Sequence, residues 1–282
     1  MKYIKYITLL LVIGIFAACS DKEVTYPMEP VDESQKTFVQ INYNVPLTNV
    51  VANRIYKIQL NDQVYENRGA ALMNPYGQYP GTSHFFMVDA GEIHVKLIDN
   101  KDNVMYESSV QLNAGRYNNL FIFDFNKEPI VIDRTTIPTF AGADSTITKC
   151  NLKFYNFLYE TNGVPSTDKI QVVLKNTATG EYDQPIGQPI GFGECSDWMN
   201  IELKWDRTKI ISGEERKDLV LAVYDGQTGE YKGTMQYTKS NGSEAQFTDY
   251  WTMGAGRSSK WVLHGVRTNK TFPVAISSFY YE

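Results

Sequence analysis

Seven residues near the C-terminus invite a chemical reading first. Gly254-Ala255-Gly256-Arg257-Ser258-Ser259-Lys260 has the glycines and the lysine of a phosphate-cradling loop. It lacks the Gly-Lys-Ser/Thr ending. It also opens onto the strand-like Trp261-Val262-Leu263 rather than a helix whose N-terminal N–H groups would face an anion. The segment predicts a turn. No Gly-x-Ser-x-Gly elbow occurs, which excludes an α/β-hydrolase nucleophile. His84 and His94 share strand parity without a Cys or His partner at ligand spacing, and His264 stands alone, so no metal site and no cofactor are expected. Glycoside hydrolysis needs only two carboxylates about 5–9.5 Å apart, but nothing singles out such a pair. Glu214-Glu215 reads as a solvated loop. The chain is therefore read as a non-enzyme, with a surface hydrolase as the weakest alternative.

Cys150 shares parity with Leu152 and Phe154, and Cys195 with Met199, Ile201 and Leu203, so both side chains are expected to point inward. Two readings stay open. One is a disulfide, plausible in an oxidising compartment and worth about 4 kcal/mol in the chain-entropy model; the other is two separate core thiols. The aromatics supply the binding candidates. Tyr76 and Tyr79 lie in the Pro/Gly-rich loop from Asn74 to Ser83, and Trp198 follows Asp197 with a parity opposite to Trp205. Trp205 and Trp251 have core parity. Tyr and Trp join an apolar face to a polar tip, so exposed examples on loops suit sugars or polar protein surfaces. The competing reading of Tyr76 and Tyr79 is a plug over the end of a core.

The elements that must position these residues are β-strands. Apolar residues alternate at Val39/Ile41/Tyr43, Ile58/Leu60, Ile93/Val95/Leu97, Val104/Tyr106, Val110/Leu112 and Phe121/Phe123/Phe125, in short runs bounded by turn residues. Asn100–Asn103 predicts a hairpin turn. No stretch sustains a helical period. The second half repeats the first. Gln111-Leu112-Asn113-Ala114-Gly115-Arg116 before Leu120-Phe121-Ile122 aligns with Thr252-Met253-Gly254-Ala255-Gly256-Arg257 before Trp261-Val262-Leu263. Val95–Asp99 aligns with Leu221–Asp225, and Val39/Ile41 with Leu152/Phe154. The spacing of these matches places an insertion of about fifteen residues in the second copy, near Gly233–Phe247, and a period this long indicates duplication of a whole sheet-forming unit. The expected organisation is a first β-sandwich over 37–132, a linker over 133–148 and a second sandwich over 149–282. Each is expected to carry roughly seven strands, as in an immunoglobulin-like sandwich.

The 282 residues carry a net charge of -5, which argues against nucleic acid, because phosphate binding needs a clustered basic surface. The N-terminus carries an address. Lys2 and Lys5 precede the apolar run Ile7–Ile15, which is shorter than the ~20 residues of a membrane-spanning helix, and small residues follow. This is the pattern of a secretory signal over residues 1–18. Residues 19–36, polar with two prolines, read as a tether.

Ala17-Ala18-Cys19 resembles the bacterial lipobox, which implies acylation of Cys19. Ser20-Asp21-Lys22-Glu23 resembles the acidic signal that sends lipoproteins of Bacteroidetes to the outer face of the outer membrane. With tandem sandwiches, the chain resembles surface-exposed accessory lipoproteins of nutrient uptake in those bacteria. The resemblance implies an outer-membrane, cell-surface location, a lipid anchor in the membrane, capture of a glycan or protein ligand, and a TonB-dependent transporter as partner. Fimbrillin-like proteins of the same bacteria are also lipoproteins of two β domains. That resemblance keeps a second reading open: an adhesive or assembly subunit acting through strand pairing, with Phe272–Tyr281 as the pairing strand.

Overall fold

The computed structural model describes residues 32–46, 53–81, 84–140, 146–204 and 215–281. Cys19 and Trp205 lie outside them. Alternation of apolar and polar side chains gives each strand one face that must leave water. In the first half these strands are β1 (Lys36–Tyr43), β2 (Lys57–Leu60), β3 (Gln63–Glu66), β4 (Gly77–Tyr79), β5 (Phe86–Asp89), β6 (Gly91–Ile98), β7 (Val104–Leu112), β8 (Tyr117–Ile122) and β9 (Ile130–Asp133). One sheet runs β4-β1-β8-β9, with β5 also on β1; the other runs β3-β2-β6-β7. Val39, Ile41, Leu120 and Ile122 from the first sheet share one buried core with Ile58, Leu60, Val95 and Leu97 from the second. Each such side chain contributes about 1.5–3 kcal/mol of burial.

The second half builds the same plan from β10 (Lys149–Thr161), β11 (Val164–Pro165), β12 (Lys169–Lys175), β13 (Tyr182–Ile190), β14 (Met199–Glu202), β15 (Glu215–Tyr224), β16 (Tyr231–Thr234), β17 (Gln236–Thr238), β18 (Glu244–Gln246), β19 (Thr248–Met253), β20 (Ser258–Val266) and β21 (Ala275–Tyr281). Its sheets are β11-β10-β20-β21, joined by β14, and β13-β12-β15-β16, joined by β19; β17 and β18 form a separate ribbon. Leu152, Phe154, Trp261 and Leu263 share the second core with Ile170, Val172, Leu221 and Val223.

The duplication read from the sequence reappears as strand register. β1 pairs with β8 in parallel, and β10 with β20 likewise. Val39 and Ile41 lie opposite Asn118 and Leu120, as Leu152 and Phe154 lie opposite Ser259 and Trp261. The shared Ala-Gly-Arg turn makes equivalent hydrogen bonds in both copies. Gly115 N donates to Lys36 O and Gly256 N to Lys149 O, each at 2.7 Å, while Arg116 O and Arg257 O accept from Phe38 N and Asn151 N. Both glycines are left-handed, at φ +69° and +76°, a region costly for side chains with a Cβ. The turn that resembled a phosphate loop therefore starts a parallel strand pair.

The connectivity is not the immunoglobulin one. There the first two strands share a sheet, whereas β1 and β2 sit in opposite sheets. Strand number and spacing do not encode which sheet a strand joins; long-range pairing does. Glu215 also departs from expectation. It is a buried residue of β15, 2.7 Å from Lys217 Nζ, and it accepts a hydrogen bond from Lys204 N.

A third cluster joins the two halves. β20 is buried along its whole length because its second face, with that of β10, packs on the back of the first sheet. Phe121 stacks on Tyr155 with ring centroids 5.7 Å apart, Phe123 stacks on Phe157 at 4.9 Å, and Val262 and Ile132 complete the cluster. Tyr159 Oη donates to Phe123 O at 2.6 Å. His264 lies on the same face, stacked on Tyr76 at 4.1 Å and hydrogen-bonded through Nε2 to Ser277 Oγ. Burial lowers its pKa to about 3.

Two outcomes follow from this packing. Gly115 has open space around its missing Cβ, so Gly115→Ala isolates the backbone strain. It should cost about 1–2 kcal/mol in urea unfolding. Neutral His264 binds fewer protons folded than unfolded, so its contribution is complete above the ordinary pKa near 6.5 and is lost as pH falls toward about 3. The urea midpoint should therefore drop on acidification, and drop less in His264→Gln.

Candidate functional site

The insertion near Gly233–Phe247 emerges as the β17–β18 ribbon. Its base is fixed by burial of Met235 and Phe247 in the second core, with Met235 N bonded to Leu221 O and Phe247 N to Met235 O. Thr238 N donates to Arg267 O at 2.8 Å. The ribbon thus stands as one wall of a cleft of about 410 Å³. Gln236, Tyr237 and Glu244 come from the ribbon, Glu160 from the end of β10, Asp168 from just before β12, and Arg267 from just after β20.

An ion-pair network shapes the floor. Arg267 holds Glu160 at 2.8 Å and Asp168 at 3.1 Å, while Lys232 reaches Asp168 at 2.8 Å and Asp225 at 2.9 Å. Asp168 anchors the network because its side chain is only 9% exposed. Asp225 is the repeat counterpart of Asp99, and each caps the turn that follows. Asp99 Oδ1 accepts from Lys101 N and Asn103 N, and Asp225 Oδ1 from Gln227 N and Thr228 N. The Thr228 N–H, the Lys232 ammonium and the Gln227 N–H hold the Asp225 carboxyl well below the usual carboxylate range. Hydrogen bonds to Asp168, then to Asp225, raise Lys232. The cleft thereby presents fixed charges of both signs, amide and hydroxyl groups, and the half-buried ring of Tyr237, an array suited to a hydroxyl-rich ligand.

The sequence-derived aromatics are elsewhere. Tyr76 packs into the first core between His264 and Phe272, and burial pushes its phenol well above the usual range. Tyr79 pairs with Ile41 in the sheet and lies 5.6 Å from Phe86. Both rings are half-buried against the first core, because the Pro/Gly loop folds inward as β4 on β1. Trp198 is half-buried, 5.9 Å from Lys153 Nζ, at a separate cavity of about 160 Å³. None of the three reaches the cleft.

Cys150 and Cys195 are free thiols, one buried and one exposed. Leu152 pairs with Met199, and Tyr155 with Cys195, so the four residues 152–155 on β10 face the five residues 195–199 on the partner segment. That extra residue reverses the side-chain direction and turns Cys195 away from the core. The two positions are also five residues apart along β10, roughly 17 Å, against the ~7 Å limit for a disulfide. His94 Nδ1 meets Ser109 Oγ at 2.7 Å, and no His/Cys/Asp/Glu group with metal-binding geometry occurs among the described residues.

The cleft residues had one sequence signal, the surplus length of the second copy. Glu160, Asp168 and Arg267 carry no local motif, since they meet only through the sheet.

No protein-family model matches the chain, and no curated protein matches it. Solved structures similar to it include a protein from Bacteroides eggerthii provisionally named a cell adhesion protein, 10% identical over 88% of this chain and 96% of the other, with a TM-score of 0.24. A protein from Bacteroides uniformis with the same provisional name is 7% identical over 88% and 99%, with a TM-score of 0.23. Likeness of that degree specifies neither a shared superposable core nor an activity.

Burial pushes the Cys150 thiol up to about 12. In the chain beginning at Ser20, a thiol-disulfide reagent should therefore modify Cys195 rapidly and Cys150 only after unfolding. Equal protection of both thiols in non-reduced protein would show a disulfide instead.

Proposed function

We propose that the chain is a non-enzymatic, lipid-anchored outer-membrane protein that captures a glycan at the cell surface in the cleft beside the β17–β18 ribbon. One observation carries the reading. The two halves share strand order and register, yet only the second has the insertion, and that insertion supplies the wall bearing Gln236, Tyr237 and Glu244. In duplicated scaffolds, insertions of this kind map to loops and often to the binding face. The Arg267–Asp168–Lys232 floor supports the reading further, because ion-paired side chains hold their polar atoms in place before a ligand arrives. The lipobox resemblance at Cys19 supports the anchor and the location.

Assembly through strand pairing has less support. The terminal strand β21 is already hydrogen-bonded along β20, from His264 opposite Ala275 to Ser258 opposite Tyr281.

A glycan array probed with the chain from Ser20 onward tests the proposal. Glu244→Gln or Tyr237→Ala should weaken retention about tenfold or more, the loss of roughly one charge-assisted hydrogen bond or one stacking face. Trp198→Ala should leave retention unchanged. Retention insensitive to both cleft substitutions would reject the cleft as the site.

A further inference from the structure

The back of the first sheet is covered at one end only. Side chains alternate along β1 and β8, so Val39, Ile41, Leu120 and Ile122 enter the first core while Phe38, Tyr117 and Phe121 point the other way. The second half covers the Phe121 end of that face through Tyr155, Phe157 and Val262. At the other end Phe38 lies opposite Met87 of β5 on one side and Tyr117 of β8 on the other. Three adjacent strands thus present a row, Met87-Phe38-Tyr117, in which Met87 is 38% and Tyr117 41% exposed.

The rings hold one another in place. Phe38 and Tyr117 stack with centroids 4.4 Å apart and planes within 7°. Phe85, just before β5, meets Tyr117 edge-on at 5.1 Å, and the Arg134 guanidinium carbon lies 5.4 Å from the Phe85 ring centroid. Two cation–carboxylate pairs border the row. Lys36 Nζ lies 2.6 Å from Asp89 Oδ1, and Arg116 Nε 3.7 Å from Asp133 Oδ2. An apolar centre of rings and a thioether is therefore framed by long polar side chains. That composition suits the boundary between lipid headgroups and acyl chains, which accommodates aromatic rings beside cationic tips.

The place of the row in the chain selects its occupant. Phe38 is the third residue of β1, which starts at Lys36. Lys36 and Cys19 are 17 residues apart, a reach of at most ~60 Å even fully extended. A lipid on Cys19 therefore keeps this end of the first half beside a bilayer at a high effective concentration. A patch too small to hold a membrane unaided is occupied under that condition, because the anchor has already removed much of the freedom that association costs.

We propose that the Met87-Phe38-Tyr117 row, with Phe85, is a membrane-contact face that lays the first half on the bilayer holding Cys19. The proposal rests on the lipid anchor read from Cys19. It adds what an anchor alone does not supply, a fixed orientation of the first half on the lipid.

Hydroxyl-radical footprinting read by mass spectrometry tests it, because methionine and aromatic side chains oxidise according to their exposure. The chain from Cys19 onward carries Cys195→Ser, which leaves Cys19 as the reactive thiol beside the buried Cys150. It is coupled through Cys19 to a maleimide lipid in vesicles of phosphatidylethanolamine and phosphatidylglycerol. Oxidation of Met87 and Tyr117 should fall several-fold relative to the same chain with Cys19 blocked. Tyr231 and Tyr250 of the second half, 56% and 52% exposed, should be unaffected. Met87→Glu should keep the urea midpoint and restore Tyr117 oxidation on the vesicles. Undiminished oxidation of Met87 and Tyr117, or an equal fall at Tyr231 and Tyr250, overturns the proposal. Protection that grows with protein concentration in vesicle-free solution also overturns it, since a second copy would then cover the row. The mass of the mature chain recovered from Bacteroides membranes separates the two readings. An unmodified Cys19 rejects the anchor and the proposal together, whereas an acylated Cys19 with an unprotected row rejects the proposal alone.

Discussion

The parallel pairing of β10 with β20 is the interaction on which most of this molecule hangs. Parallel strands cannot be joined by a tight hairpin, and their ends must be brought together across a long stretch of chain. Here the strands are more than a hundred residues apart, and the Ala-Gly-Arg turn seats the second strand against the start of the first through Gly256 N and Lys149 O. Once formed, the pair is buried on both faces. Trp261 and Phe154 enter the second core, while Val262, Tyr155 and Phe157 meet the first half. The end of the same pair positions Glu160 and Arg267 on the floor of the cleft.

Duplication explains how a chain without a catalytic motif acquires a differentiated surface. Both copies keep the turn, the parallel register and the aspartate that caps the hairpin, Asp99 in one and Asp225 in the other. The second copy adds a ribbon anchored by two buried side chains, Met235 and Phe247. An apolar anchor in an existing core makes such an insertion inexpensive, because the projecting residues need not contribute to folding and are free to carry polar groups.

The junction face of β20 shows the opposite arrangement. His264 and Lys260 are ionisable groups placed where water is excluded, and each is pushed toward its neutral form. The aromatic cluster at the same junction, from Phe121 to Phe157, buries apolar area whose gain offsets the cost of desolvating such groups. Tyr76 belongs to this layer: its ring lies on His264 instead of facing a ligand.

The sequence by itself determined the strands, the duplication, the turn between them and the position of the insertion. Period-two alternation at Val39/Ile41 or Ile93/Val95/Leu97 and a left-handed Gly115 are local properties of the chain. Tertiary structure alone decided which sheet each strand joined, and so the departure from immunoglobulin order. It decided that Tyr76 and Tyr79 pack, half-buried, against the first core, because exposure depends on what packs above a loop. It separated Cys150 from Cys195 through one extra residue before Met199, a change of register that parity counted from either end cannot detect. It also assembled the cleft, since Glu160, Asp168, Lys232 and Arg267 become neighbours only when distant strands pair.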